Sequence, residues 1–208
     1  STLAVHPAIH DSTSGGSGGD LAGEYERVRR LTEDLAAPLT PEDQTVQTMP
    51  DVSPTKWHRA HVTWFFEAFV LADHQPGFSM FQDTYWTLFN SYYESVGARH
   101  PRANRGHISR PGALEVGDYR RHVDDRMLDL LSTRLPGERS DGGRPEDDAL
   151  RALVSLGFHH EHQHQELLLM DIKHVLSRNP LEPVGYPGPR VAPGPPSTVS
   201  WIEFGGGV

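Results

Sequence analysis

His160 and His164 stand four residues apart in Phe158-His159-His160-Glu161-His162-Gln163-His164-Gln165-Glu166, and this run limits the fold more tightly than any other. Four residues carry an α-helix about 400° round, so both imidazoles leave one face a turn apart. Leu153, Leu156, Gly157, Gln163, Leu167 and Asp171 fall within roughly 60° of His160 on the same wheel. The pattern predicts a helix that points two imidazoles into its own apolar stripe. Burying unpartnered imidazoles is costly, and a divalent ion relieves the cost by taking both lone pairs. One His on such a face is ordinarily a satisfied core residue. Two at this spacing, inside a cluster of four, point to a metal.

The same letters read His160-Glu161-x-x-His164, the helix signature of zinc metalloproteases, with Glu161 as general base. That architecture needs a mixed sheet beside the helix and a third ligand downstream. Nothing upstream alternates like strands, and the extended form of the motif fails at Leu167 and Met170. A metal site must therefore recruit its third ligand from elsewhere. The chain contains no Cys, so His, carboxylate or water must serve, and a nucleophilic thiol has to come from substrate. A formal charge of −9 gives no basic face for nucleic acid. No apolar run approaches a membrane span, and no leader-like segment opens the chain, so a soluble, cytoplasmic protein is expected.

Residues 1–19, ending in Ser14-Gly15-Gly16-Ser17-Gly18-Gly19, are expected to be a flexible tail. A first helix follows Asp20 as N-cap, with Tyr25, Val28, Leu31 and Leu35 inward, and stops before Pro38. Ser53 as cap and Pro54 at the first helical position open a second helix that runs to about Ala72. Its inner face, with Trp57, Trp64, Phe65, Ala68 and Ala72, centres on His61, a third imidazole in an apolar stripe; His58 lies roughly 60° to one side. A long crossover, with a short helix around Phe81–Tyr93, leads to a third helix over Gly117–Leu135, with core residues Tyr119, Val123, Met127, Leu130 and Leu131. Gly142-Gly143 breaks the chain before Pro145-Glu146-Asp147-Asp148 opens the fourth, which ends near Arg178. The expected fold is all-α, a four-helix bundle over residues 20–180 with a long crossover between helices two and three. Facing helices of such a bundle converge side chains on a metal, and His61, His160 and His164 make a three-His site. Glu166, about 120° from His160, and Asp171 are placed behind the ligands rather than on the ion. An extended Pro/Gly-rich tail crowds 183–196, and Trp201-Ile202-Glu203-Phe204 reads as a strand at the threshold of another domain, making 181–208 linker and first strand.

Four motifs recur in a known order: Ser53-Pro54-x-Lys56-Trp57-His58-x-Ala60-His61-x-x-Trp64-Phe65-Phe66-Glu67, Asn90-Ser91-Tyr92-Tyr93, His100-Pro101-Arg102-x-x-Arg105, and His160-x-x-x-His164-x-Glu166. Together they resemble the ergothioneine-biosynthesis sulfoxide synthases over residues 20–208. Members join a DinB-like bundle to a domain similar to formylglycine-generating enzyme, whose first strand the ending looks like. The resemblance implies an iron(II) enzyme that uses O2 to join a cysteinyl thiol to the imidazole of Nα-trimethylhistidine, leaving a sulfoxide. It carries the Fe(II) ligands onto His61, His160 and His164, a trimethylhistidine contact onto Gln163, and a thiol-substrate carboxylate clamp onto Arg102 and Arg105. The catalytic tyrosine belongs to the second domain and has no counterpart here, so no catalytic residue is assigned in this chain. Three neutral imidazoles would leave an ion its full charge and open positions for thiolate, imidazole and O2.

Two other readings fit the same residues. A DinB-like zinc thiol S-transferase would hold its metal on the same three His and need no O2. A non-catalytic bundle would bind metal or a partner chain, docking a separate C-terminal domain. Under any reading, an apolar face left uncovered near the site is expected to invite self-association. The choice between γ-glutamylcysteine and cysteine stays open.

Overall fold

The computed structural model describes residues 20–91, 97–136 and 144–188, and singly Trp201, Glu203, Gly205 and Gly206. The expected tail at 1–19, Tyr92 and Tyr93, the Gly142-Gly143 break, and nearly all of the linker and strand expected after 188 lie outside the described residues. All regular structure among the described residues is helical, so the fold is all-α. Four long helices dominate: α1 (Leu21–Ala36), α2 (Thr55–Phe65), α3 (Ala113–Arg134) and α4 (Pro145–Ser177). α4 packs on α1 and α2, and α2 packs on α3.

Asp20 caps α1 as its sequence requires, its Oδ1 accepting from the Gly23 N–H at 2.9 Å. The buried face is not the apolar one expected. Tyr25, Val28, Arg29, Thr32 and Ala36 point inward, whereas Leu31 is exposed and Leu35 half-buried. α2 is buried on every side: each residue from Thr55 to Phe65 is inaccessible, Lys56, His58 and Arg59 included. Ser53 makes no side-chain cap, and Pro54 itself occupies the cap position. The Ser53 N–H goes instead to Asp171 Oδ2 (2.8 Å), and its Oγ accepts from Arg105 (2.8 Å). Beyond Phe65 the helix continues through a π-helical stretch (Phe66–Leu71) and a last α turn (Ala72–His74).

The crossover holds one short helix, Tyr85–Leu88, and a 3-10 turn, Arg102–His107. The short helix is briefer than the Phe81–Tyr93 expected. α3 begins four residues before Gly117, and its expected stripe of Tyr119, Val123, Met127, Leu130 and Leu131 is fully buried. α4 opens with proline in its first turn and three acidic residues at its positive end.

The buried face of α4 is rotated from the one periodicity suggested. Gly157, Phe158, Glu161, Gln165, Leu168 and Asp171 are buried, while Leu156 is exposed and Leu167 half-buried. Glu161 causes the rotation. Its Oε2 accepts from Arg29 Nη1 (2.9 Å), and its Oε1 accepts from Thr32 Oγ1 (2.6 Å) and Arg120 Nη2 (3.2 Å). Arg29 Nη2 also reaches Thr63 Oγ1 on α2 (2.8 Å). A carboxylate this buried persists only with such partners.

α4 approaches α2 closely at Gly157, where an added Cβ would lie 2.5 Å from Phe66 Cε1 and 2.7 Å from its Cζ. Phe66 is wholly buried and cannot swing away. Gly157→Ala is therefore expected to lose about 1–3 kcal/mol through overpacking. Against the roughly 1 kcal/mol of helix propensity gained, the 2.5 Å contact with an immobile ring puts the cost at the upper end and leaves a net loss of up to about 2 kcal/mol. Urea unfolding should show a lowered midpoint, and a raised one would refute the close approach.

Candidate metal centre

His61 is fixed before any ion is considered. It lies between Trp57 and Trp64, with ring centroids 4.6 Å and 5.6 Å away and planes within 13° and 14° of parallel. This stack follows from α2 spacing, which sets Trp57, His61 and Trp64 on one face. The His61 Nδ1 sits 2.6 Å from the Phe89 carbonyl oxygen, delivered by the crossover just after the short helix. A carbonyl only accepts, so Nδ1 carries the hydrogen and Nε2 keeps its lone pair. That Nε2 lies 3.2 Å from Nε2 of His160 on α4.

His61, His160 and His164 each place one ring nitrogen within 4.8 Å of the others. Two nitrogens bound about 2.1 Å from one ion at tetrahedral or octahedral angles stand roughly 3.0–3.4 Å apart, and the His61–His160 separation matches. The three residues can hold a metal ion. Imidazoles suit zinc, iron, nickel and copper alike, so the donors alone do not choose among them.

The three differ in exposure. His61 is buried, while His160 and His164 lie at the flank of the buried face of α4 and are half-buried. They border a cavity of about 340 Å³, also lined by Ser53, Trp57, His58, Ser91, Arg102, Arg105, Gln163 and Leu167. The sequence expectation of imidazoles sunk in an apolar stripe is thus corrected: Glu161 takes the innermost position and turns His160 and His164 toward open space. Glu161 itself faces the ion-pair cluster and does not line the cavity, which removes the metalloprotease base.

Arg105 lies flat over Trp57, its Cζ 3.2 Å from the ring centroid, and donates to Ser53 Oγ (2.8 Å) and Ser91 Oγ (3.1 Å). Arg102 donates to the Asp51 carbonyl oxygen and also lines the cavity. Gln47 holds their turn in place, donating to the Val52 and Arg102 carbonyls (2.7 and 2.9 Å) and accepting from the Gly106 N–H (2.6 Å). Gln163 is exposed at the rim. Glu166 is exposed as well and outside the cavity lining, away from the supporting position expected of it. Asp171 is buried and supports a ring, but the ring is that of His58: Asp171 Oδ2 lies 2.9 Å from His58 Nε2, and His58 Nδ1 lies 2.9 Å from His164 Nδ1. His174 meets Thr48 Oγ1 at 2.8 Å.

His58 is the residue that sequence reasoning passed over. Its spacing from His61 is i, i+3, the same one-face relation that singled out His160 and His164. On the wheel it lies roughly 60° from the face centred on His61, outside the expected stripe.

All four rings are held toward the neutral form, chiefly by burial. His61 and His164 lie well below the usual imidazole range, with His160 the next cause for His61 and His61 the next for His164. His160 falls to about 4 by burial, against the pull of Glu161. His58 is lowered by burial, with Asp171 opposing.

A model of the DinB superfamily matches residues 24–168, and the chain belongs to that superfamily. No curated protein matches it. Among the described residues no helix is long and apolar enough to cross a membrane.

A ring whose folded pKa is depressed binds fewer protons folded than unfolded. Metal-free protein should hold its stability above pH 6.5, the unfolded value, and lose it as pH falls toward the His160 value of about 4. Urea midpoints at descending pH test this; a flat profile across that window would contradict neutral burial of the four rings.

Proposed function

We propose that this DinB-superfamily chain is the metal-binding bundle of an iron(II)- and O2-dependent sulfoxide synthase, joining a cysteinyl thiol to Nα-trimethylhistidine. One observation carries the reading. His61 from α2, His160, Gln163 and His164 from α4, and Arg102 and Arg105 from the crossover turn all line one cavity. They come from motifs far apart in the chain, and a bare structural bundle has no need to bring them together.

The residues divide the work. His61, His160 and His164 would hold iron(II). When bound, the ion would activate O2 and take the substrate thiol as thiolate, because three neutral ligands leave its charge intact. Arg105 is pre-set by its stack on Trp57 and its two serine contacts, so its guanidinium offers a carboxylate a fixed partner with little ordering cost. Arg102 beside it gives the cavity a second cation. The amide of Gln163, at the rim and next in sequence to His164, is positioned for the second substrate. The cavity opens to solvent on this side, where a second domain would exclude water and supply the catalytic tyrosine. The charge of the cavity favours anionic thiols over neutral ones.

Iron(II) affinity of anaerobically prepared protein, wild type against His61→Ala, tests the site. The variant should lose more than the roughly 10–100-fold that outer partners alone contribute to a metal site. Turnover is then tested by adding a formylglycine-generating-enzyme-like domain, Nα-trimethylhistidine, O2 and either γ-glutamylcysteine or cysteine. O2-dependent sulfoxide formation supports the reading. Thiol transfer without O2, on a zinc-loaded site, would replace it.

A further inference from the structure

Asp171, His58 and His164 form a buried line of hydrogen bonds that ends at the candidate metal centre, and the direction of every proton along it follows from its partners. Asp171 Oδ2 accepts the Ser53 backbone N–H at 2.8 Å and faces His58 Nε2 at 2.9 Å. A carboxylate oxygen only accepts, so His58 Nε2 carries a hydrogen. A neutral His58 then presents a lone pair at Nδ1, 2.9 Å from His164 Nδ1. Two lone pairs cannot face each other at that distance, so His164 Nδ1 carries the hydrogen and its Nε2 is the free donor. The alternative, a doubly protonated His58 paired with Asp171, would bury an ion pair at a ring only 3% exposed, where desolvation disfavours the charged form.

We propose that His58 and Asp171 are positioning residues for the metal site: they lock His164 in the tautomer that offers Nε2 to the ion. The inference rests on the three-His reading of the site. It adds that the ligand set is unequally prepared. His61 is locked by the Phe89 carbonyl and His164 by the His58–Asp171 pair. His160 Nδ1 is buried with no hydrogen-bond partner among the described residues, and its Nε2 faces the His61 Nε2 lone pair at 3.2 Å, so the same rule puts its hydrogen on Nε2. Two ligands are ready in the metal-free protein, and His160 is the one whose tautomer metal binding must change.

The arrangement also explains why Ser53 gives up capping α2. Its N–H anchors the carboxylate that orients His58, and its Oγ anchors Arg105. One residue thereby registers the crossover turn, the start of α2 and the far end of α4 around the same cavity.

The test begins with metal-free wild-type protein, labelled with 15N and read by long-range proton–nitrogen correlation spectra at neutral pH. The expected result is hydrogen on Nδ1 of His61 and His164 and on Nε2 of His58. Hydrogen on Nε2 of His164 would overturn the proposal, and this arm needs neither a variant nor a correct choice of metal. His58→Asn and His58→Leu are then compared. Asn keeps an acceptor where the His58 Nδ1 stands, and Leu does not. Leu should release the His164 tautomer, leave that of His61 unchanged, and weaken iron(II) binding roughly 10–100-fold, with Asn losing clearly less. A Leu variant with wild-type affinity, or equal losses in both, would overturn the positioning role. Failure of iron turnover with these tautomers intact would count against the proposed function alone.

Discussion

One buried carboxylate holds the bundle in register. Glu161 on α4 meets Arg29 and Thr32 on α1 and Arg120 on α3, and Arg29 passes the contact on to Thr63 of α2. Every long helix contributes a side chain to this knot, and withdrawing Glu161 would leave Arg29 and Arg120 without the carboxylate they share in the core. Buried ion pairs of this kind add little net stability compared with apolar packing, but removing one partner is severe. They define which arrangement of the helices is allowed. Burial alone would push the Glu161 carboxyl up, and Arg29 and Arg120 more than reverse this, holding it below the usual range.

That knot lies one residue from His160. Because Glu161 must face the arginines, its neighbour is carried about 100° round the helix toward α2, and His164 follows one turn later. The stacking of His61 between two tryptophans settles the opposite wall. The placement of the three-His group thus follows from how charge is satisfied behind it.

The elements that were legible from sequence are those whose information is local. The stripe of Tyr119, Val123, Met127, Leu130 and Leu131 identified α3, and the i, i+4 imidazoles identified the face of α4 that meets α2. Asp20 announced the start of α1 with its cap. Periodicity failed where polar side chains turn inward. Arg29, Thr32 and Glu161 look like interruptions of an apolar stripe, and only pairing across four helices makes them core. Leu31, expected inward, is exposed, and Arg29 lies inside instead. The crossover was least legible, since its course is set by single long-range contacts, such as Gln47 on the Arg102 carbonyl and Lys56 on the Pro111 carbonyl, that no repeating pattern encodes.

The π-helical stretch at Phe66–Leu71 gives α2 two independent phases. Upstream, the helix orients Trp57, His58 and His61 around the cavity. Downstream it sends Phe66 against Gly157 and Glu67 to the hydroxyl of Tyr119. The wider turn absorbs the angular difference between these two assignments, as a coupling does between shafts that are not aligned. The distal half can therefore meet Tyr119 of α3 while the proximal half keeps His58 and His61 toward the cavity. The end of the helix that faces the cavity and the end that packs against α3 are set at different angles within one continuous helix.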